Sequence, residues 1–177
     1  MTDADQFEAF VRKYQDMVFA TAVRLLGNPV EAEDVAQMVF LRAFQRFDEI
    51  GASPAAAGWL RTVARNACLN HLSRYRARWR FFSELAPGGD VSDDELMFEA
   101  PGSPAMAMEE AEERRRLEQA LGELPDHQRV PLVLFHFEEL SYQEIASALG
   151  VAVGKVKTDM HRGRLALRRH LSIDHGR

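Results

Sequence analysis

The stretch that decides the fold of the C-terminal part is SYQEIASALGVAVGKVKTDMHRGRLALRR, residues 141–169. Ser141 and Glu144 predict a capping box, in which the serine oxygen and the glutamate each satisfy an otherwise unpaired amide at a helix start. The short helix that begins there is predicted to end at Gly150, because glycine readily adopts the left-handed conformation that closes helices. A longer basic helix follows from about Val153. This order of elements predicts a helix-turn-helix.

The longer helix carries a candidate DNA-reading face. If Val153, Val156 and Met160 face inward, the polar residues between them are predicted to project outward, where long donors reach base edges and phosphates in the major groove. A solvated helix face is the alternative explanation, but the capping box, the glycine turn and the basic helix occur in the order that favours DNA binding. The candidate residues are Lys155, Lys157, Thr158, Asp159, His161 and Arg162.

Charge is distributed unevenly along the chain, although the net charge is -5. Residues 50–83 contain no acid and include Arg61, Arg65, Arg74, Arg76, Arg78 and Arg80. A second basic segment spans residues 155–169, and the acids are concentrated between the two segments. Because phosphate backbones attract local positive charge, two basic surfaces joined by an acidic connector remain compatible with a DNA partner.

The connector between the basic segments is rich in proline, glycine and acids, a composition that resists packing. In the N-terminal part, apolar residues recur at helical spacing and are interrupted at residues 27–29 and 51–54. We therefore predict an all-α protein with two small helical domains, residues 1–80 and 108–177, joined by an acidic flexible linker, residues 81–107. A long surface loop within one domain is the alternative to the linker.

Enzymatic chemistry is not expected from the residues present. The single cysteine, Cys68, has no evident activating partner, and the six histidines lack the paired spacing of a zinc helix. No glycine-rich phosphate loop is found. We expect no cofactor, no metal and no small-molecule substrate. The N-terminus is acidic and no apolar run approaches about 18 residues, so we expect a cytoplasmic protein.

Three segments carry a family resemblance. Residues 124–171, LPDHQRVPLVLFHFEELSYQEIASALGVAVGKVKTDMHRGRLALRRHL, resemble the promoter −35 reading domain of the extracytoplasmic-function group of the sigma-70 family. EAEDVAQMVFLRAFQRFD, residues 31–48, and GWLRTVARNACLNHLSR, residues 58–74, resemble that group's polymerase-binding and −10 reading domain. The resemblance implies an alternative sigma factor, which binds core RNA polymerase and directs promoter recognition, DNA melting and transcription initiation.

The resemblance also assigns roles within the N-terminal domain. The positions that match the contact with core polymerase are Asp34, Gln37, Met38 and Leu41. An acid, an amide and two apolar groups suit contact with another helix, although Met38 and Leu41 could instead belong to the core. The positions that match the surface facing the −10 element are Arg61, Thr62, Arg65, Asn66 and Asn70.

The loop over residues 50–57 matches the segment that captures a base flipped out of the non-template strand. Ser53 is its only polar side chain, so any base selection there would depend largely on backbone groups. Trp59 could stack on an exposed base, but an indole at the start of an amphipathic helix is more often part of the core.

Two positions of the predicted recognition helix depart from the family pattern. Asp159 stands where arginine is usual, and Lys155 stands where threonine is usual. Aspartate repels phosphate but accepts a hydrogen bond from cytosine, so Asp159 indicates either an unusual −35 sequence or an intramolecular contact. The promoter sequence therefore cannot be copied from relatives.

The expected partners are core RNA polymerase and promoter DNA with its −35 and −10 elements. The resemblance further implies an anti-sigma factor, in this group often a membrane protein whose cytoplasmic domain occludes both sigma domains. The alternative function is a helix-turn-helix transcription regulator with an N-terminal dimerisation or sensing bundle. A stable dimer on palindromic DNA would favour the regulator.

Overall fold

A computed structural model describes residues 2–75 and 107–174. The chain divides into two compact units, residues 1–74 and 75–177, and each is considered by itself. Within the described ranges the regular structure is helical, with no β-strand. The prediction of an all-α protein with two helical domains is confirmed. Apart from Ala107, the predicted linker lies outside the described residues.

The N-terminal unit consists of helices α1 (Asp3–Leu26), α2 (Pro29–Gln45), α3 (Phe47–Ile50) and α4 (Ala56–His71), followed by a 3-10 turn (Leu72–Tyr75). The break between α1 and α2 follows directly from local chemistry. Gly27 ends α1 with φ of 65°, in the left-handed region that glycine tolerates. Asn28 then caps α2 by accepting from the amides of Val30 and Glu31, with Pro29 in the first turn.

The core of the N-terminal unit lies where α1, α2 and α4 pack together. Alanines on all three helices are fully buried, which allows the helices to approach closely; these are Ala22, Ala32, Ala43 and Ala64. Larger side chains fill the remaining volume, among them Leu25 and Leu60. Cys68 also lies in this core with no exposed surface, as expected of a small buried residue rather than a nucleophile.

The C-terminal unit consists of α5 (Ala107–Glu123), α6 (Asp126–His136), α7 (Tyr142–Leu149) and α8 (Val153–Asp174). The capping box of Ser141 and Glu144 is present at the start of α7, and Gly150 ends that helix with φ of 68°. Ile145 and Leu149 of α7 pack into the same core as Met160 of α8. The predicted helix-turn-helix is therefore formed by α7 and α8.

Gly163 lies where α8 packs tightly against α6. A Cβ atom at this position would lie 2.7 Å from Leu132 Cδ1 and 3.3 Å from the carbonyl oxygen of Gln128. Leu132 is itself buried in the core, so it has little room to move. Glycine is needed here for space, since only a residue without a side chain lets the two helices pack at this distance.

Arg129 forms a buried polar link at the corner between α5 and α6. Only 3% of the residue is exposed. Its Nη1 donates to the Leu124 carbonyl oxygen at 2.8 Å, just beyond the end of α5, and its Nη2 pairs with the Asp126 carboxylate at the start of α6. The guanidinium thereby satisfies a carbonyl at one helix end and complements an acid at the next helix start.

Candidate polymerase and nucleic-acid interfaces

The outer face of α2 exposes all four candidate polymerase-binding residues. Asp34, Gln37, Met38 and Leu41 follow the spacing i, i+3, i+4 and i+7, so they lie on one side of the helix. Met38 is 44% exposed and Leu41 is 61% exposed. The alternative that these two residues belong to the core is therefore wrong. Their exposed apolar surface suits contact with another protein.

Phe44 extends this face and was missed in the sequence analysis. It lies three residues after Leu41 on α2 and is 57% exposed. Its ring meets the edge of Phe7 with centroids 5.0 Å apart, so α1 holds it in position while leaving most of it open. The signal was available in the i+3 spacing, which continues the stripe of Met38 and Leu41. We call the exposed stripe formed by Asp34, Gln37, Met38, Leu41 and Phe44 the α2 outer face.

The candidate −10 residues of α4 lie outside the core of their unit. Arg61, Thr62, Asn66 and Asn70 are exposed, and Arg65 is half-buried. The opposite side of α4 is buried against α1 and α2. Guanidinium groups suit phosphates, whereas hydroxyl and amide groups suit base edges, so this surface combines both kinds of donor. We call these five residues the α4 outer face.

Trp59 and Ser53 flank the start of α4. Trp59 is half-buried, and the Arg46 guanidinium carbon lies 6.0 Å from the centroid of its ring. The indole is therefore partly packed against the unit and partly accessible. Ser53 is also half-buried, and its Oγ accepts from the Ala55 amide at 3.2 Å. This bond orders the loop that precedes the helix.

Four candidate −35 residues of α8 retain accessible side chains. Arg162 is exposed, while Lys157, Thr158 and His161 are partly exposed. The Lys157 ammonium lies 5.5 Å from the centroid of the Tyr142 ring, so α7 helps to position a cation of α8. The hydroxyl of Thr158 donates to the Gly154 carbonyl oxygen at 3.0 Å. We call Lys157, Thr158, His161 and Arg162 the α8 outer face.

Lys155 and Asp159 do not project outward, and that prediction is wrong for both. Their side chains are 10% and 8% exposed, and Lys155 Nζ lies 2.6 Å from Asp159 Oδ2. The pair lines a small pocket with His127 of α6 and Leu149 of α7. Because α8 packs against both α6 and α7, the buried part of its circumference is wider than the apolar stripe alone. The intramolecular contact considered for Asp159 is the one observed.

Two sigma-factor family models match the chain in the order of its units. "Sigma-70 region 2" matches residues 10–79, and "Sigma-70, region 4" matches residues 114–167. The chain is 32% identical over 169 residues to the ECF RNA polymerase sigma factor SigW of Bacillus subtilis, which covers 96% of this chain and 90% of the relative. The chain belongs to the extracytoplasmic-function (ECF) sigma factors. The resemblance on which the sequence analysis relied is confirmed.

A second sigma factor and one solved structure are also similar to this chain. This sigma factor is 33% identical over 172 residues to the RNA polymerase sigma-E factor of Streptomyces coelicolor, with 97% of this chain and 89% of the relative covered. Among solved structures, a complex of the sigma factor RpoE with the anti-sigma factor NepR from Bartonella quintana matches with a TM-score of 0.49. That match has 24% identity and covers 95% of this chain and 98% of that chain.

The two histidines of α6 in this sigma factor, His127 and His136, are partly buried. Burial lowers the pKa of His127, and among its neighbours Asp159 raises that pKa while Lys155 and Arg162 lower it. Burial also lowers the pKa of His136, and the charge of Arg164 lowers it further. Both imidazoles are thus biased toward the neutral form.

In residues 2–75 and 107–174 no group of three or more His, Cys, Asp or Glu side chains could hold a metal ion. Across the helices that the structure describes, none is both long enough and apolar enough to cross a membrane.

Proposed function

We propose that this sigma factor binds core RNA polymerase through the α2 outer face and reads promoter DNA through the α4 and α8 outer faces. The observation that carries the proposal is the exposure of Met38, Leu41 and Phe44 on one side of α2. A folded unit gains nothing by itself from leaving three large apolar side chains in water, so a protein partner is expected there.

We assign promoter opening to the N-terminal domain predicted from the sequence, residues 1–80. Arg61 and Arg65 would hold phosphates of the −10 element, while Thr62, Asn66 and Asn70 would contact base edges. Trp59 and the loop that contains Ser53 lie next to this face and would receive an unpaired base. Unstacking a base costs only a few kcal/mol, so capture of flipped bases can open DNA without covalent chemistry by the sigma factor itself.

We assign recognition of the −35 element to the C-terminal domain predicted from the sequence, residues 108–177. Lys157 and Arg162 supply positive charge, whereas Thr158 and His161 supply shorter hydrogen-bonding groups. We leave Lys155 and Asp159 out of the direct contacts because both side chains are almost fully buried. The arginine usual at position 159 is missing from the reading face, so we expect a −35 sequence unlike that of relatives.

Further partners follow from membership of the family. We propose an anti-sigma factor that occludes the polymerase-binding and DNA-binding faces, and a cytoplasmic site of action with core polymerase. We also propose that residues 81–107 form an acidic linker between the two domains predicted over residues 1–80 and 108–177. We propose no cofactor, metal or small-molecule substrate.

The test is multi-round transcription by purified core polymerase on sheared genomic DNA, with and without this protein, followed by mapping of every new start. Discrete starts that need the protein would support the proposal. Asn66→Ala should weaken these starts, whereas Gln15→Ala, which removes an equally exposed amide from α1, should not. Arg162→Ala should do the same in α8, with exposed Arg114→Ala of α5 as its control.

Two outcomes would contradict the proposal. If no starts appear and the protein also fails to bind core polymerase, it does not act as a sigma factor. A stable dimer on palindromic DNA would then support a helix-turn-helix regulator. If starts appear but are unaffected by Asn66→Ala and Arg162→Ala, the two helix faces have been assigned wrongly.

A further inference from the structure

The Lys155–Asp159 pair is unusual for the first turns of a proposed recognition helix. Both side chains are at least nine-tenths buried, and the N–O distance of 2.6 Å is that of a charge-assisted hydrogen bond. Leu149 and His127 border the pair from two other helices, so the contact is enclosed by the fold rather than exposed on α8. The ammonium therefore meets a carboxylate of its own helix instead of solvent.

Lys155 lies in the first turn of α8, which begins at Val153. The first turn of a helix carries partial positive charge and free amides, which disfavour a cation but attract phosphate. A lysine there would be expected to swing its long side chain outward and touch the DNA backbone. Asp159, one turn later on the same side of α8, instead draws the ammonium inward.

The other cations of α8 are oriented differently. Arg162 is exposed, and Lys157 lies over the Tyr142 ring while remaining partly exposed. These two cations can reach phosphates without breaking an ion pair within the unit. Lys155 can reach a phosphate only if it leaves the Asp159 carboxylate uncompensated in a buried position, which is unfavourable.

We propose that Asp159 is a positioning residue that holds the Lys155 ammonium inside the C-terminal unit, removing one phosphate contact from DNA binding by α8. The inference rests on the proposed −35 reading by this helix. Loss of the Asp159 carboxylate frees Lys155 to turn outward and bind a phosphate. Asp159 thus lowers the sequence-independent affinity of α8 for DNA. Recognition of the −35 element is left to the α8 outer face, which consists of Lys157, Thr158, His161 and Arg162.

The test measures how binding of the full chain to a random-sequence DNA duplex depends on KCl, using fluorescence anisotropy. Each phosphate contact adds about 0.9 to the slope of log affinity against log salt. Asp159→Asn should steepen the slope by about 0.9, and Lys155→Gln alone should leave it unchanged. The double variant Lys155→Gln/Asp159→Asn should return to the wild-type slope. Glu113→Gln, an exposed acid of α5, controls for the change in net charge.

Several outcomes would overturn the inference. The first is an equal slope of log affinity against log salt for Asp159→Asn and Glu113→Gln. The second is a slope reduced by about 0.9 in Lys155→Gln, which would mean that Lys155 already contacts a phosphate in the wild type. Circular dichroism checks folding, and if Asp159→Asn does not fold, the Lys155→Gln slope alone decides. Failure of the wild type to direct transcription would reject the proposed sigma function, whereas the slopes report only on Lys155 and Asp159.

Discussion

The two units of this sigma factor differ in what they leave in water and what they bury. In the N-terminal unit, the α2 helix exposes 44% of Met38 and 61% of Leu41. In the C-terminal unit, Arg129 and Asp159 are only 3% and 6% exposed. The apolar groups thus remain largely in contact with water, whereas the buried charges have partners within their own unit. Residue type alone therefore does not predict which of these side chains are exposed and which are buried.

The largest effect is expected where a buried charge is removed. Arg129→Met should destabilise the C-terminal unit by about 3 kcal/mol, because it leaves the Leu124 carbonyl and the Asp126 carboxylate without this guanidinium. Amide hydrogen exchange of the full chain measures the effect separately in α5–α8 and in α1–α4. Arg114→Met, at an exposed position of α5, is the control and should change stability by less than about 0.5 kcal/mol. If Arg129→Met and Arg114→Met changed stability equally, the buried contacts of Arg129 would not be what stabilises the C-terminal unit.

The reverse experiment adds a charge to the exposed apolar face. Leu41→Glu should weaken binding to core polymerase by about 30-fold, which corresponds to ~2 kcal/mol for a residue central to an interface. Thermal stability should hardly change, since Leu41 is largely exposed. Met108→Glu provides the matched control on α5, where the methionine is 88% exposed. A large loss of stability with no change in polymerase affinity would show that Leu41 serves the fold instead.

The tight packing of the C-terminal unit can be tested at a glycine pair. Gly163→Ala should destabilise this unit by about 1 to 2 kcal/mol, since the new methyl group would clash with Leu132 and Gln128. Gly122→Ala, in α5, meets no atom within 4 Å and should stabilise the unit by up to about 1 kcal/mol through better helix propensity. Denaturant unfolding measures both. Changes of the same sign would argue against a close contact at Gly163.

A smaller effect of pH is expected from two histidines of the C-terminal unit. Because burial lowers the pKa of His127 and His136, the unfolded chain binds more protons than the folded unit below the ordinary histidine pKa of about 6.5. The stability linked to these two groups is fully present above that pH and is lost as pH falls toward the lowered pKa values. NMR titration of the imidazole protons should give midpoints below 6.5 for both residues. A midpoint at or above 6.5 for either histidine would contradict this account.

Several features of the site could be read directly from local sequence. The capping box of Ser141 and Glu144 and the left-handed Gly150 follow from short-range chemistry, and both are observed. The spacing of Asp34, Gln37, Met38 and Leu41 predicted a shared helix face, and these residues do lie together on the exposed side of α2. Whether that face binds polymerase remains a prediction.

Other features required knowledge of which helices pack side by side. Lys155 and Asp159 have the composition of a solvent-facing helix, yet α6 and α7 enclose their side chains. The i, i+3 spacing of Asp126 and Arg129 is a local signal for an ion pair, but the burial of Arg129 and its bond to the Leu124 carbonyl depend on the corner after α5. Trp59 was expected in the core, but α4 leaves it half-buried.

The sequence by itself determined the longer helices, the caps of α7, the division into two helical domains and membership of the ECF sigma factors. These properties depend on short-range periodicity, on turn chemistry and on motifs that neighbouring residues carry together. Only the tertiary structure decided which charges of α8 are exposed and which are buried within the unit. The reason is physical: a side chain's exposure depends on every helix packed around it, and Lys155 and Asp159 are buried because α6 and α7 both pack against α8.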